Sequence, residues 1–178
     1  MRFKSFKKRF PIPLMAFLIL SNFCYSQQKN EIRWLNMQEV EALMKKKPKK
    51  ILIDVYTDWC GWCKTMDKKT YLNEGVIEII NRDYYAVKFN AETRDTITFN
   101  NKVYAYNPNY RCNELAAALL NGQMSYPNTV FMDEKLQVLT AVAGFVNSDE
   151  FIPILNYFGE NHYLKKKWEE YKSTLQKM

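Results

Sequence analysis

The chain has 178 residues, 47% of them hydrophobic and 15% aromatic, which suits one packed domain with room for an extension. Its 26 basic and 19 acidic residues give a formal charge of +7, but five of the basic residues and none of the acidic ones fall within residues 1–26. Without that segment the balance is 21 against 19, about +2, so the high charge gives no case for a nucleic-acid partner.

Residues 1–26 read as a targeting segment. Arg2, Lys4, Lys7, Lys8 and Arg9 form a basic stretch, Leu14 to Leu20 form a short apolar run, and Cys24 and Ser26 are small residues ahead of a cut before Gln27. That is the layout of a secretory signal peptide, so the protein is expected to be exported, in a bacterium to the periplasm. An uncleaved anchor is the alternative, in which case this segment alone would touch the membrane.

Asn36 is placed to cap a helix, with Glu39 as its capping-box partner and Leu35 and Val40 at the staple positions; the helix should run to about Lys46, before Pro48. Ile51 to Tyr56 is short and apolar, a buried strand interrupted by Asp54, a costly residue there unless it is paired or protonated. Residues 60–69 can form a helix with Cys60 at its start and Cys63 one turn further in, followed by a second short helix over 73–82. Tyr84 to Phe89 returns as a strand. Residues 92–112 look inserted, with an Asn-Asn-Lys turn between two alternating segments that predicts a hairpin. Asn113 caps a further helix that ends before Gly122. Residues 128–133 and 136–143 read as two strands joined by a tight turn. Ser148 is the expected cap of the next helix, where Pro153 should delay the helical start. A final amphipathic helix carries Leu164, Trp168, Tyr171 and Leu175 on one side, and His162 reads as a surface residue. This order makes a central mixed sheet with helices on both faces.

Export would remove Cys24 and leave Cys60, Cys63 and Cys112. Three cysteines do not make a disulfide scaffold, and with a single histidine they are poor material for zinc; a redox pair plus one spare thiol fits better, with a structural disulfide or a partial zinc site as the alternatives. A cysteine at a helix N-terminus faces unpaired amides and the positive end of the dipole, which favours its thiolate. Cys60 has that position and is expected to attack, while Cys63, deeper and more shielded, resolves the mixed disulfide.

At this point the segment ILIDVYTDWCGWCK resembles the active-site strand and helix of the thioredoxin family, and more closely that of exported bacterial thioredoxin-like proteins carrying DWCGWCK. The similarity spans roughly residues 34–160 and includes SYPNTVF, with Pro127 in the cis-proline position, Lys88 in VKFNAE and Gly144 late in the fold. The resemblance implies an α/β thioredoxin fold with a central mixed β-sheet flanked by helices. The domain would occupy residues 27–160, with the hairpin-like insert at about 92–112 and a helical extension at 161–178. It implies that Asp54 takes the proton of Cys63 as the mixed disulfide collapses, that Lys88 tunes Asp54, and that Pro127 offers its neighbours' backbone to a bound peptide and deters metal. Trp59, Gly61, Trp62 and Tyr126 would border the substrate. No metal and no other cofactor is implied.

The expected function is an exported thiol–disulfide oxidoreductase that reduces or exchanges disulfides of envelope proteins and draws on an upstream thiol donor. Gly61-Trp62 stands where thioredoxin itself has Gly-Pro; Trp62 adds no charge, which favours a reductant over an oxidase or isomerase. A non-catalytic binding module is the remaining alternative, with the Tyr- and Asn-rich insert and the C-terminal helix as its working surfaces. Cys112 is expected to be a buried, inert thiol rather than a third redox group.

Overall fold

A computed structural model describes residues 30–176. The expected signal peptide, Cys24 included, therefore lies outside the described residues. The chain begins with β1 (Trp34–Leu35), α1 (Met37–Lys46), β2 (Lys50–Tyr56), α2 (Gly61–Lys69), α3 (Glu74–Asp83) and β3 (Tyr84–Asn90). Four short strands follow, β4 (Ile97–Phe99), β5 (Lys102–Tyr104), β6 (Tyr106–Asn107) and β7 (Cys112–Asn113), and then α4 (Glu114–Leu119). The chain closes with β8 (Asn128–Met132), β9 (Val138–Ala143), α5 (Ser148–Gly159), a 3-10 turn at His162–Leu164 and α6 (Trp168–Leu175).

The main sheet has the order β1-β3-β2-β8-β9. β2 runs parallel to β3 and antiparallel to β8, which pairs antiparallel with β9, so the sheet is mixed as expected. Alternate residues of β2 supply two different cores. Ile51, Ile53 and Val55 pack on the side of α1 and α4, with Val40, Leu115 and Ala116. Leu52 packs on the other side with Met66 of α2, Ile77 and Ile80 of α3, and Phe151 and Leu155 of α5. Asp54 has the parity of Leu52 and so belongs to the α2 side.

Local sequence explains the boundaries. Asn36 accepts the Glu39 amide and Glu39 returns a hydrogen bond to the Asn36 amide, a complete capping box at the start of α1. Asn73 caps α3 and Asn113 caps α4. The β4–β5 hairpin turns at Asn100 and Asn101, both with positive φ (50° and 60°), a conformation asparagine tolerates well. The insert is anchored rather than loose: Ile97 and Phe99 enter the α1-side core, and Asn113 Nδ2 donates to the backbone oxygen of Asp95 at 3.0 Å.

Several expectations are corrected. β1, β6 and β7 are two-residue strands too short to leave a periodic signal. The cap of α5 is Asn147, whose Oδ1 accepts the Glu150 amide at 3.0 Å, and Ser148 is already helical. Pro153 does not delay the helix; it lies inside α5, whose start is held by that cap. Leu164 is not part of the last helix, because Asn161 adopts a left-handed conformation (φ 62°) and diverts the chain into the 3-10 turn before α6 begins. Leu164 is left exposed. His162 stays at the surface as expected, its side chain 35% exposed, and stacks 4.7 Å from the Tyr171 ring.

Candidate active site

Cys60 is the N-cap of α2, and its Sγ accepts the Cys63 amide at 3.0 Å. Its own amide donates to Thr57 O at 3.1 Å, which fixes the turn from β2 into the helix. The first turn of α2 contains no acid, so no side chain there offsets the positive end of the helix. Cys60 and Cys63 form a disulfide, with Cα atoms 5.3 Å apart. The expected difference in shielding is absent in this oxidised form: the residues are 4% and 3% exposed, because the bond holds both sulfurs in one pocket. What distinguishes them is the amide hydrogen bond, which among the described residues Cys60 accepts and Cys63 does not.

Three loops meet the two tryptophans that flank the cysteines in the chain. Trp59 stands edge-on to Tyr126, centroids 5.9 Å apart, and its Nε1 donates to Glu92 Oε1 at 3.0 Å. Trp62 leans on Phe145 at 5.6 Å. Both tryptophans are exposed, so they flank the sulfurs more than they cover them. The Tyr126–Pro127 bond is cis, and Pro127 O accepts the Gly144 amide at 2.8 Å, tying the start of β8 to the end of β9. Gly61 has open space where a Cβ would stand. Burial, with the Cys112 and Glu92 charges adding, pushes the Tyr126 hydroxyl up to about 12. Cys112 is a buried free thiol, raised above the ordinary range by burial and then by Glu114 and Glu92. The insert reaches this rim through Glu92.

A polar row crosses the sheet beneath α2. Asp54 lies opposite Lys88 of β3 and opposite Thr129 of β8. Lys88 Nζ donates to Asp54 Oδ2 at 2.7 Å and also to Asp67 Oδ1 on α2. Its ammonium sits 5.1, 5.3 and 5.2 Å from the ring centres of Trp34, Tyr56 and Tyr71. Asp54 is 1% exposed, and Asp54 Oδ1, Tyr71 Oη and Thr129 Oγ1 are buried without a hydrogen-bond partner among the described residues. Burial raises the Asp54 carboxyl above the usual range, and Lys88 offsets that only in part. Burial alone would lower the Lys88 ammonium, but the Asp54 and Asp67 carboxylates outweigh it and hold it above the ordinary lysine range. Burial, with Asp54 adding, raises Tyr71 well above the usual phenol.

The structure thus pairs Asp54 with Lys88, keeps Trp59, Gly61 and Trp62 next to the two cysteines in the chain, and brings Tyr126, with its cis bond to Pro127, against Trp59. Sequence reasoning missed Asp67, Trp34, Tyr56, Tyr71, Thr129, Glu92 and Phe145. Asp67 did carry a signal: it follows Cys63 by four residues on one helix and so shares its face. The three rings around Lys88 come from separate segments, and no local pattern links them.

Residues 18–178 match the family model Thioredox_DsbH, described as a protein of unknown function, DUF255. Among solved structures, the chain is similar to a thioredoxin-fold protein from Helicobacter pylori (TM-score 0.58, 16% identity, 85% of this chain and 91% of that one). It is also similar to a thioredoxin from Thermus thermophilus (TM-score 0.54, 18% identity, 71% and 85%). A DsbH oxidoreductase gives a TM-score of 0.50 at 15% identity, covering 73% and 85%. At these identities the likeness is one of fold, and the fold is the thioredoxin fold. The Caenorhabditis elegans protein "Uncharacterized protein B0495.5" is 25% identical over 130 residues, 72% of this chain. The chain spans about a sixth (16%) of the length of that curated relative.

Proposed function

The chain belongs to the Thioredox_DsbH family, and on that premise we propose that it is a thiol–disulfide oxidoreductase working through Cys60 and Cys63. The observation that carries this reading is the Cys60–Cys63 disulfide at the N-terminus of α2, with a buried, lysine-paired acid on the same side of the sheet. In the reduced protein the Cys63 amide and the helix end favour a thiolate at Cys60. That sulfur attacks a disulfide of the target, forms a mixed disulfide and releases one target thiolate. Cys63 then attacks Cys60 Sγ, its proton passing to the Asp54 carboxylate, and the second target thiolate leaves. Two electrons move from the dithiol to the target, and a thiol donor restores the pair.

Lys88 keeps Asp54 within reach of its ionised form, and Trp59, Gly61, Trp62, Tyr126 and Pro127 form the docking rim. The partners are disulfide-bearing envelope proteins and that donor, with the protein exported to the periplasm. Among the described residues no helix is long and apolar enough to cross a membrane. The uncharged Trp62 between the cysteines supports reduction over oxidation. The test is dithiothreitol-driven reduction of a protein disulfide, together with the reduction potential of the pair. A wild type no faster than Cys60→Ser removes the oxidoreductase reading. A potential in the range of strong oxidases, about −120 mV, reverses the direction of electron flow.

A further inference from the structure

Lys88 has one ammonium and two carboxylate partners of unlike surroundings. Asp54 is 2% exposed at its side chain and Asp67 44%. Asp67 stands one turn beyond Cys63 on α2, and Met66 and Tyr71 from the same stretch pack in the core that Leu52 and Asp54 face. Beside Lys88 an open cleft of about 270 Å³ is lined by Glu31, Trp34, Asp67, Tyr71 and Leu72. The buried acid therefore communicates with solvent through an ammonium that Asp67 holds.

We infer that Asp67 is a positioning residue of the Cys60–Cys63 site: by sharing Lys88 with Asp54 it governs the pH range over which Asp54 exchanges its proton, and hence the pH range of mixed-disulfide resolution. The inference rests on the oxidoreductase reading for its second half only. The physical argument is competition. An ammonium has three donors, and here Asp54 and Asp67 each take one while Trp34, Tyr56 and Tyr71 crowd the remainder. Two carboxylates on one cation disfavour each other's charge. The groups that face Asp54 are Lys88 from β3, Asp67 and Tyr71 from α2 and the turn after it, and Thr129 from β8. Tyr56 and Asp58 lie at the outer end of β2, where the Tyr56 hydroxyl is raised by burial and then by Asp58. Glu31 lines the outer cleft. Asp67 carries a carboxylate that hydrogen-bonds Lys88 alongside Asp54.

In the resolution step the Cys63 Sγ–H proton goes to Asp54. A Cys63–Cys60 S–S bond forms as the Cys60–target S–S bond breaks, and the target sulfur leaves as thiolate. Cys63 and Cys60 end oxidised and the target sulfur reduced. A form of Asp54 ionised at lower pH starts this step at lower pH.

The test uses the protein in two states. In oxidised protein labelled with carbon-13 at the aspartate carboxyls, the Asp54 signal, assigned by its loss in Asp54→Asn, is titrated in wild type, Asp67→Asn and Asp67→Glu. In reduced protein, 5,5′-dithiobis(2-nitrobenzoate) forms the mixed disulfide at Cys60, and the second release of thionitrobenzoate reports resolution by Cys63 as a function of pH. Asp67→Asn is expected to lower the Asp54 midpoint by about one pH unit and to move the resolution profile with it, while Asp67→Glu stays near wild type. An Asp54 midpoint unchanged in Asp67→Asn overturns the inference. A midpoint that moves while the resolution profile stays fixed also overturns it and leaves the oxidoreductase reading standing. No second release from the wild type at any pH overturns that reading instead, and the carboxyl titration then decides the charge competition alone.

Discussion

Asp54 and Lys88 face each other across paired strands with Lys88 Nζ 2.7 Å from Asp54 Oδ2, yet the other carboxylate oxygen has no hydrogen-bond partner among the described residues. Burial outweighs what Lys88 offers, so ionising Asp54 is unfavourable even beside a cation.

That imbalance predicts that Asp54→Asn stabilises the protein at neutral pH. The folded Asp54 carboxyl lies above its ordinary value of 3.8, so the folded state holds its proton more tightly than the unfolded state. Stability is therefore lost as pH rises from the unfolded value through the folded one, at about 1.4 kcal/mol per unit of separation. The variant escapes that loss, and Lys88 keeps Asp67 as a partner. Urea unfolding of the oxidised protein should show the gain at pH 8 and none at pH 3; an equal gain at both pH values contradicts the argument.

Lys88→Met should act in the opposite sense. It leaves Asp54 without its cation and withdraws the ammonium from among Trp34, Tyr56 and Tyr71. The expected loss is about 2 kcal/mol at pH 8, shrinking towards acid pH, where a protonated Asp54 has no need of the cation. Denaturant midpoints across the same pH range check this.

The amide hydrogen bond to Cys60 Sγ predicts which sulfur attacks. With a target disulfide, Cys63→Ser should accumulate a mixed disulfide through Cys60, visible on non-reducing gels and by mass. Cys60→Ser should not. The reverse pattern would assign the attacking sulfur to Cys63.

For α5 the side-chain bond from Asn147 to the Glu150 amide predicts that Asn147→Ala costs about 1 kcal/mol, a drop of about 2–4 °C in Tm. Ser148→Ala, within the helix, should leave Tm nearly unchanged. Thermal unfolding of the two variants side by side separates them.

Much of this site was legible because its chemistry is written in contiguous residues. An acid in an apolar strand and two cysteines at the next helix start are read from one 14-residue stretch. Paired capping residues marked α1 in the same way. What escaped depends on distant residues. Asp67 matters through a lysine more than twenty residues away, and the cage around that lysine draws on Trp34, Tyr56 and Tyr71 from three segments. The choice between Asn147 and Ser148 as cap was beyond sequence reasoning because both are good caps, and only the backbone entering α5 decides between them.

The alternation along β2 also divides how the protein will tolerate change. A saturation scan of that strand should show a two-residue beat. Substitutions at Ile51, Ile53 and Val55, on the α1 side, should register as altered melting alone. Those at Leu52 and Asp54, on the α2 side, should also displace the acid–base response of the dithiol. One face of the strand is then free to drift with any residue that fills space, while the other is bound to a proton.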